Sequence, residues 1–522
     1  MKLWDWIQRC RQTQARCREL EAENRRLKER NAWLEKRLQE VETQNTRKLE
    51  AEDRNAWLEK QVQELQSKNT QLLQSLAAAK KNSTTSSKPP SSDLVKPPAR
   101  QPKTSGQSKR SIGGQKGHPK HEHVPFPPEQ VDFRVPYELH VCPVNPAHRI
   151  FPAEDRTRVL QQIELADKPI VVTEHIAKGI WCEDCHCYHD APFPLEVTRA
   201  GLFGPRLTAL ATYSKARLHA SYSGIRDLLR DVLGIKVSRG YVAKLLRKAS
   251  QAFGGPHSEL IELLPQQLAL NTDETGHKEN GVRYWIWCFR AARFVVFKID
   301  PSRGTEVLME ILGEEFKGIL GCDYYAAYRK YAQLCRVLVQ FCLAHLIREV
   351  KYLCEFPDPQ VQRYGKGLLT GLQALFHVLH RKEQLSEKVY ERQLAAAQEQ
   401  IWEAAMEPKA FPERFGGANM HRLIANLVRR FEKHGQAYFQ FMTHPEIDPT
   451  NNVVEQAMRF VVIDRHITQG TRSWRGRQVC ERIWTVMATC TLQKRSPFHW
   501  MCDAIVAWFQ GRPVPSLLVD SS

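Results

Sequence analysis

The chain has no run of about 18 uninterrupted apolar residues, the least a membrane-spanning helix needs, so it is expected not to cross a bilayer. Its start, Met-Lys-Leu-Trp-Asp-Trp-Ile-Gln-Arg-Cys, is too charged for the apolar core of a signal peptide. Acidic residues are in deficit: 58 Asp and Glu face 76 Lys and Arg, for a net charge of +18 and a pI near 9.3. That balance favours a polyanionic partner, because basic surfaces steer onto phosphate backbones and release counterions there. Fourteen cysteines lie scattered along the chain, which argues for thiols and one metal site at most, against a disulfide framework. With 522 residues and 42% hydrophobic content, about three or four domains with buried cores are expected.

Glycine and proline are missing from residues 1–80, which are dense in Glu, Arg, Lys, Gln and Leu. Leu20, Leu27, Leu34 and Val41 recur every seven residues, with Asn24, Asn31, Leu38 and Asn45 between them. This is the seam of a coiled coil, and its asparagines favour a parallel dimer by fixing register and strand number. Arg30-Asn-Ala-Trp-Leu-Glu-Lys36 returns as Arg54-Asn-Ala-Trp-Leu-Glu-Lys60, an offset of three heptads plus three residues that puts a stammer into the seam.

Residues 81–130 turn to Ser, Thr, Pro, Lys and Gly and read as a flexible basic linker. Within it, Lys109, Arg110 and Lys116 set positive charge around the glycines of Gly113-Gly-Gln-Lys-Gly-His118, an arrangement that lets the backbone approach phosphates. Residues 131–200 hold Trp181-Cys182-Glu-Asp-Cys185-His-Cys187-Tyr-His189, and Cys142-Pro-Val-Asn-Pro-Ala-His148 lies upstream. A Cys-x-x-Cys pair lets two thiolates reach one tetrahedral zinc, so the segment reads either as a small zinc-ribbon-like module, with Cys142, His148, Cys182 and Cys185 as ligands and His140 as a further candidate, or as ordinary free thiols. Residues 201–260 read as a helix-turn-helix-like region. Ile225, Leu228, Leu229 and Val232 line one face, Gly234 breaks it, and Ser238 caps a basic second helix carrying Arg239 and Lys244. That order suits a helix entering a major groove, and equally a helical pair that packs without touching DNA.

From about residue 261, three expected strands (268–272, 284–290 and 294–299) precede a helix over 305–312, a strand over 318–322, a helix over 326–333 and a strand over 337–341. Three strands followed by alternating helices and strands is the order of a ribonuclease H-like α/β core, expected over 261–480. Asp273 should end the first strand and Asp323 should follow the fourth, both at the carboxyl ends of the sheet. Asp448-Pro-Thr-Asn451-Asn452-Val-Val-Glu455 then opens a helix bearing a third acid, after a helical insertion over about 356–445. Residues 481–522 read as a C-terminal helical tail. The fold class is therefore multidomain α+β. Three carboxylates from two strand ends and one helix form an oxygen donor set for two magnesium (or manganese) ions. Glu274, beside Asp273, should point to the opposite side of its strand.

Around these acids, His345 reads either as a contact to DNA or as a satisfied core histidine. Arg459 shares a helical face with Glu455, and Asn451 and Asn452 either cap that helix or touch DNA. Gln469-Gly-Thr-Arg472-Ser-Trp474-Arg475-Gly-Arg477 joins phosphate-binding arginines to an aromatic that can stack on an unpaired base, or that simply packs.

In order, these motifs resemble the insertion sequence 66 family of bacterial DDE transposases. The match runs through the zipper start, Lys88-Pro-Pro-Ser-Ser-Asp93, Gly113-Gly-Gln-Lys-Gly-His118, the cysteine-rich module, Asp273-Glu-Thr with Trp285-Ile-Trp287, Cys-Asp323-Tyr-Tyr-Ala-Ala-Tyr328, Cys342-Leu-Ala-His345-Leu-Ile-Arg348 and Asn451-Asn452-Val-Val-Glu455-Gln-Ala-Met-Arg459. The resemblance implies an enzyme of the bacterial cytoplasm, associated with the nucleoid. It would bind the terminal inverted repeats of its own element and join them to target DNA, with accessory proteins of the same element as further partners. Two departures stand out: the irregular first half of the cysteine module, and Gln456 where the family usually carries arginine. Two other readings use the same features: a zipper-dimer DNA-binding regulator with an inactive core, and a structure-specific nuclease.

Overall fold

The computed structural model describes residues 16, 19–33, 48–79, 125–137, 139–140, 142–149, 151, 159–167, 169–184 and 186–518. Most of the expected linker, with Lys109, Arg110 and Lys116, and the seam positions Leu34, Leu38, Val41 and Asn45 lie outside the described residues, as does Cys185.

Residues 19–33 are helical, and α1 (Lys48–Ala79) is one helix of 32 residues, as a stretch without Gly or Pro allows. A short hairpin follows, in which β1 (Gly179–Cys182) pairs antiparallel with β2 (Cys187–Asp190) and sets Cys182 opposite Cys187. Five helices come next: α2 (Leu195–Ala200), α3 (Pro205–Arg217), α4 (Tyr222–Asp231), α5 (Arg239–Ala252) and α6 (Gly254–Leu263). Ser221 caps α4 by accepting from Gly224 N–H, and Ser238 caps α5 by accepting from Tyr241 N–H. Ile225 and Leu229 of α4 and Val242, Leu245, Leu246 and Ala249 of α5 are buried, whereas Val232 is exposed. Lys248 turns inward and closes the end of α2, with its ammonium 2.7 and 2.8 Å from the carbonyls of Arg199 and Ala200.

β3 (Ala269–Glu279), β4 (Val282–Arg290) and β5 (Val295–Asp300) form an antiparallel meander. Asn280 and Gly281 turn the first hairpin, both at positive φ, as a two-residue turn between twisted strands requires. α7 (Thr305–Leu312), β6 (Ile319–Cys322), α8 (Ala326–Cys335) and β7 (Leu338–Phe341) follow, with β6 and β7 parallel to β3. The sheet order is β5-β4-β3-β6-β7. Alternation gives it two buried faces. Ile286, Cys288, Phe297 and Ile299 pack on one side, and Leu270, Trp287, Phe289 and Val296 on the other.

After β7 come α9 (Leu343–Cys354), α10 (Pro359–His380), α11 (Glu387–Ala410), α12 (Arg422–His434), α13 (Asn452–Thr468), α14 (Trp474–Leu492) and α15 (Pro497–Phe509). Val454, Met458 and Val461 of α13 and Trp484 of α14 cover the Cys288 face. The boundary expected at residue 480 falls inside α14, and α14 is no tail. Its Glu481, Thr485 and Thr489, spaced four apart on one helical face, accept the outward N–H groups of Ile299, Phe297 and Val295 at 2.7, 3.0 and 3.1 Å. On the opposite edge, the buried Gln340 of β7 accepts from Phe441 N–H at 3.0 Å and donates to the Tyr438 carbonyl at 3.0 Å.

Candidate active site

Asp273 lies five residues into β3, a strand that runs on to Glu279, and so does not end it as the sequence reading expected. Its parallel partner β6 stops pairing at Asn271↔Gly321, and beyond that point β3 stays extended because β4 and the loop before α14 hold it. Thr471 N–H donates to the Lys278 carbonyl at 2.9 Å, and Asn280 N–H to the Thr471 carbonyl at 2.8 Å. Asp273 therefore stands where the parallel part of the sheet opens. Asp323 follows β6 directly and accepts Tyr325 N–H at 2.8 Å, the local bond of an aspartate opening a turn.

Glu455 arrives from the first turn of α13. That helix is fixed to the sheet by Asn451, which is 1% exposed. Its amide donates to the Thr272 carbonyl at 2.8 Å, its oxygen accepts from Asn271 at 2.9 Å, and its N–H meets Cys342 Sγ at 3.1 Å. Asn451 thus caps no N–H of the helix with its side chain and is closed off from DNA; it is a bracket between β3, α9 and α13.

The Glu455 carboxylate faces α9. Arg348 Nη2 reaches both of its oxygens at 3.3 and 3.2 Å, and His345 Nε2 lies 3.7 Å away. His345 is buried, which lowers its pKa, and neighbouring Arg348 adds to the effect. Its Nδ1 is buried without a hydrogen-bond partner, so it is not a satisfied core histidine. The pKa of Asp273 is raised well above the ordinary carboxylate range, first by burial and then by the negative charges of Glu274, Asp323 and Glu455. The three acids therefore feel one another across the open end of the sheet. Each is nonetheless held by protein: Asp273 accepts Glu274 N–H at 3.0 Å, Asp323 its own turn and Glu455 Arg348. Among the described residues no three His, Cys, Asp or Glu side chains converge closely enough to grip one metal ion.

Glu274 pairs across from Trp287 while Asp273 pairs across from Cys288, so the two acids do point to opposite faces. Glu274 is buried, with Arg303 Nη2 at 2.6 Å and the Tyr328 hydroxyl donating to it. Burial and Asp323 push its pKa up to about 7.

Of the other expected contacts, Arg239 and Lys244 are exposed on α5, and Asn452 and Arg459 are exposed on α13. Arg472, Trp474 and Arg475 are exposed ahead of and at the start of α14, with the Arg475 guanidinium 5.6 Å from the Trp474 ring centre. Arg477 turns inward to Glu279 at 3.4 Å. Cys142 Sγ lies 3.6 Å from His148 Nδ1, and Cys187 Sγ lies 3.4 Å from His189 Nε2. The sequence reading gave no role to Arg348, Asn271 or Arg303. The spacing Cys342, His345, Arg348 was a usable signal for the first, because residues three apart share a helical face.

A larger cavity of about 740 Å³ lies between α10 and α11, lined by Gly367, Trp402 and Phe411, and none of these acids lines it. No described helix is long and apolar enough to cross a membrane.

Two relatives from Sinorhizobium fredii (strain NBRC 101917 / NGR234), both known only as uncharacterized proteins, align with most of the chain. Protein y4hP is 24% identical over 397 residues, covering 70% of this chain and 69% of the relative. Protein y4qI is 21% identical over 357 residues, covering 62% of this chain and 63% of its own length. A family model described as "Transposase IS66 family" matches residues 200–479, more than half of the chain and all of the elements that carry Asp273, Asp323 and Glu455. The chain belongs to the IS66 family of transposases.

Proposed function

We propose that this transposase binds the terminal inverted repeats of its own element and catalyses DNA cleavage and strand transfer by a DDE mechanism on a ribonuclease H-like core. The observation that carries the reading is geometric: Asp273 and Asp323 stand where the parallel pairing of β3 and β6 ends, and Asn451 fixes α13, which bears Glu455, to β3 at that same point. Acids that sense one another without converging on a single point suit two separate cations more than one shared ion, and an all-oxygen set suits hard ones. Asp273, Asp323 and Glu455 would hold magnesium or manganese, which when bound stabilises the attacking and leaving oxygens of an in-line displacement.

The protein's own contribution is placement. Asn451 sets α13 against β3, so Glu455 is delivered to the same face as Asp273. Arg348 neutralises Glu455 and can turn to a phosphate, and neutral His345 can accept a proton from a nearby hydroxyl. Contact with DNA is assigned to the basic linker (Lys109, Arg110, Lys116), to Arg239 and Lys244 of a helix-turn-helix-like region, and to Arg472, Trp474 and Arg475; Asn452 and Arg459 extend it along α13. The N-terminal seam makes a dimer that brings two ends together at high effective concentration. A zinc on Cys142, His148, Cys182 and Cys185 would brace the module between linker and helices, and metal analysis of the purified chain tests it.

Asp273→Asn, Asp323→Asn and Glu455→Gln keep shape and remove a negative ligand. Each should abolish magnesium-dependent cleavage and joining of end DNA while leaving its binding intact. Cleavage that survives in all three variants overturns the triad, and cutting without joining of pre-cleaved 3′-hydroxyl ends points to a nuclease instead.

A further inference from the structure

A cavity of about 250 Å³ opens between the start of α13, the end of α14, the β4–β5 turn and the end of α3. Phe460, Met487 and Leu492 give it apolar walls, and Arg217, Arg290 and Gln456 bring polar groups to it. Arg290 pairs across the sheet with Asn271, two residues before Asp273, so its side chain lies on the same face as that acid. Gln456 is the residue after Glu455. The cavity thus lies on the same side of the sheet as Asp273, beside the helix that carries Glu455.

Arg290 is partly buried and makes no side-chain hydrogen bond or ion pair with a described residue; Asp448 is the carboxylate that acts on it through space. A half-buried guanidinium without a bonded partner in the protein is free to take an anion. Arg217 adds a second, exposed guanidinium to the same cavity. Between them are an aromatic ring, braced by His219 at 5.0 Å, and an amide that offers donor and acceptor together. The volume falls below the roughly 300 to 1,000 Å³ of pockets for drug-sized ligands, which is the scale of a single base.

We propose that this cavity receives one unpaired nucleotide of the DNA being processed. Its base enters against Phe460, Met487 and Leu492 and meets the Gln456 amide, and its phosphates lie on Arg217 and Arg290. Base stacking on apolar and aromatic walls, with the Watson–Crick edge read by a side chain, is how enzymes hold a base taken out of the helix. The inference rests on the proposed function only in taking DNA as the substrate.

The test uses the full chain and a mixed-sequence oligonucleotide about twenty nucleotides long with one internal 2-aminopurine, single-stranded or annealed to its complement, in EDTA so that no cleavage occurs. Arg217→Ala with Gln456→Ala, both at exposed positions, should weaken single-strand binding roughly fivefold to a hundredfold. The 2-aminopurine signal change should be lost, and duplex affinity should stay within about twofold, since the base in a duplex stays stacked. Arg290→Gln should do the same; should it fail to fold, the exposed pair still decides. Equal weakening of single strand and duplex, unchanged single-strand binding, or no single-strand binding by the wild-type protein each overturns the proposal. Cleavage surviving in Asp273→Asn, Asp323→Asn and Glu455→Gln proteins alike would remove the mechanism without touching this result, and wild-type single-strand binding by the Arg217→Ala, Gln456→Ala protein would remove the cavity proposal without touching the mechanism.

Discussion

Arg348 of α9 donates one nitrogen to both carboxylate oxygens of Glu455, at 3.3 and 3.2 Å, across 107 residues of chain. A cation already bound to a proposed magnesium ligand competes with the metal. Arg348→Ala should therefore lower the magnesium concentration for half-maximal cleavage about two- to tenfold, the range for a charge-assisted hydrogen bond at a partly exposed site. Maximal cleavage should fall, because the same guanidinium is then missing for phosphate. Arg348→Lys should lie between. Magnesium titrations of cleavage rate decide the matter, and superimposable curves would sink the idea.

Asn451 makes two side-chain bonds while 1% exposed. Asn451→Ala strands the Thr272 carbonyl and the Asn271 amide, at about 1 to 3 kcal/mol for each unsatisfied group. The urea midpoint should drop accordingly, and cleavage should fall further than folding alone explains, because Glu455 rides on the helix that Asn451 anchors. An unchanged midpoint would show that the bracket is dispensable.

Glu274 links stability to pH with a definite sign. Unfolded, it releases its proton near 4.5; folded, it keeps it to about 7. Between those values the folded protein binds more protons than the unfolded chain. The stability Glu274 contributes is thus fully present below about pH 4.5 and is lost as pH rises through about 7. Glu274→Gln should flatten the fall in urea midpoint across that window, a difference of about 3 kcal/mol or less. It should also ease the ionisation of Asp273, since Glu274 is one of the charges raising it. Parallel stability profiles for the two proteins would contradict this.

Lys215 of α3 is ion-paired with Asp464 of α13, at side-chain exposures of 7% and 1%, and the Trp484 indole donates to the same carboxylate at 3.3 Å. Lys215→Met leaves that charge buried and unpaired, which costs about 3 to 5 kcal/mol. Adding Asp464→Leu should recover part of the loss, because the pair's desolvation disappears with it. Thermal melts of the two variants check both halves of the claim.

Where burial and backbone pairing coincide, the elements were legible in the sequence. The helix expected over 305–312 is α7 to the residue, and β6 and β7 each begin one residue later than expected. The second half of β3 was not legible. Thr275 to Glu279 carry little apolar patterning, and their strand form comes from β4 and from Thr471, far along the chain. The side of the sheet taken by Glu274 could be read from alternation, but its burial under Arg303 and Tyr328 could not, because both partners come from later elements. The helical spacing of Cys342, His345 and Arg348 marks Arg348 as sharing a face with His345, but its pairing with Glu455 was hidden, since an ion pair spanning 107 residues leaves no mark on local periodicity.

The two outer strands of the sheet share one consequence. The outward amides of β5 are taken by Glu481, Thr485 and Thr489, and Gln340 ties β7 to the segment around Tyr438 and Phe441. A sheet whose margins are occupied offers no template to a foreign strand. Under the proposed function, in which copies gather on one DNA molecule, such a core would stay discrete and would not join its neighbours edge to edge.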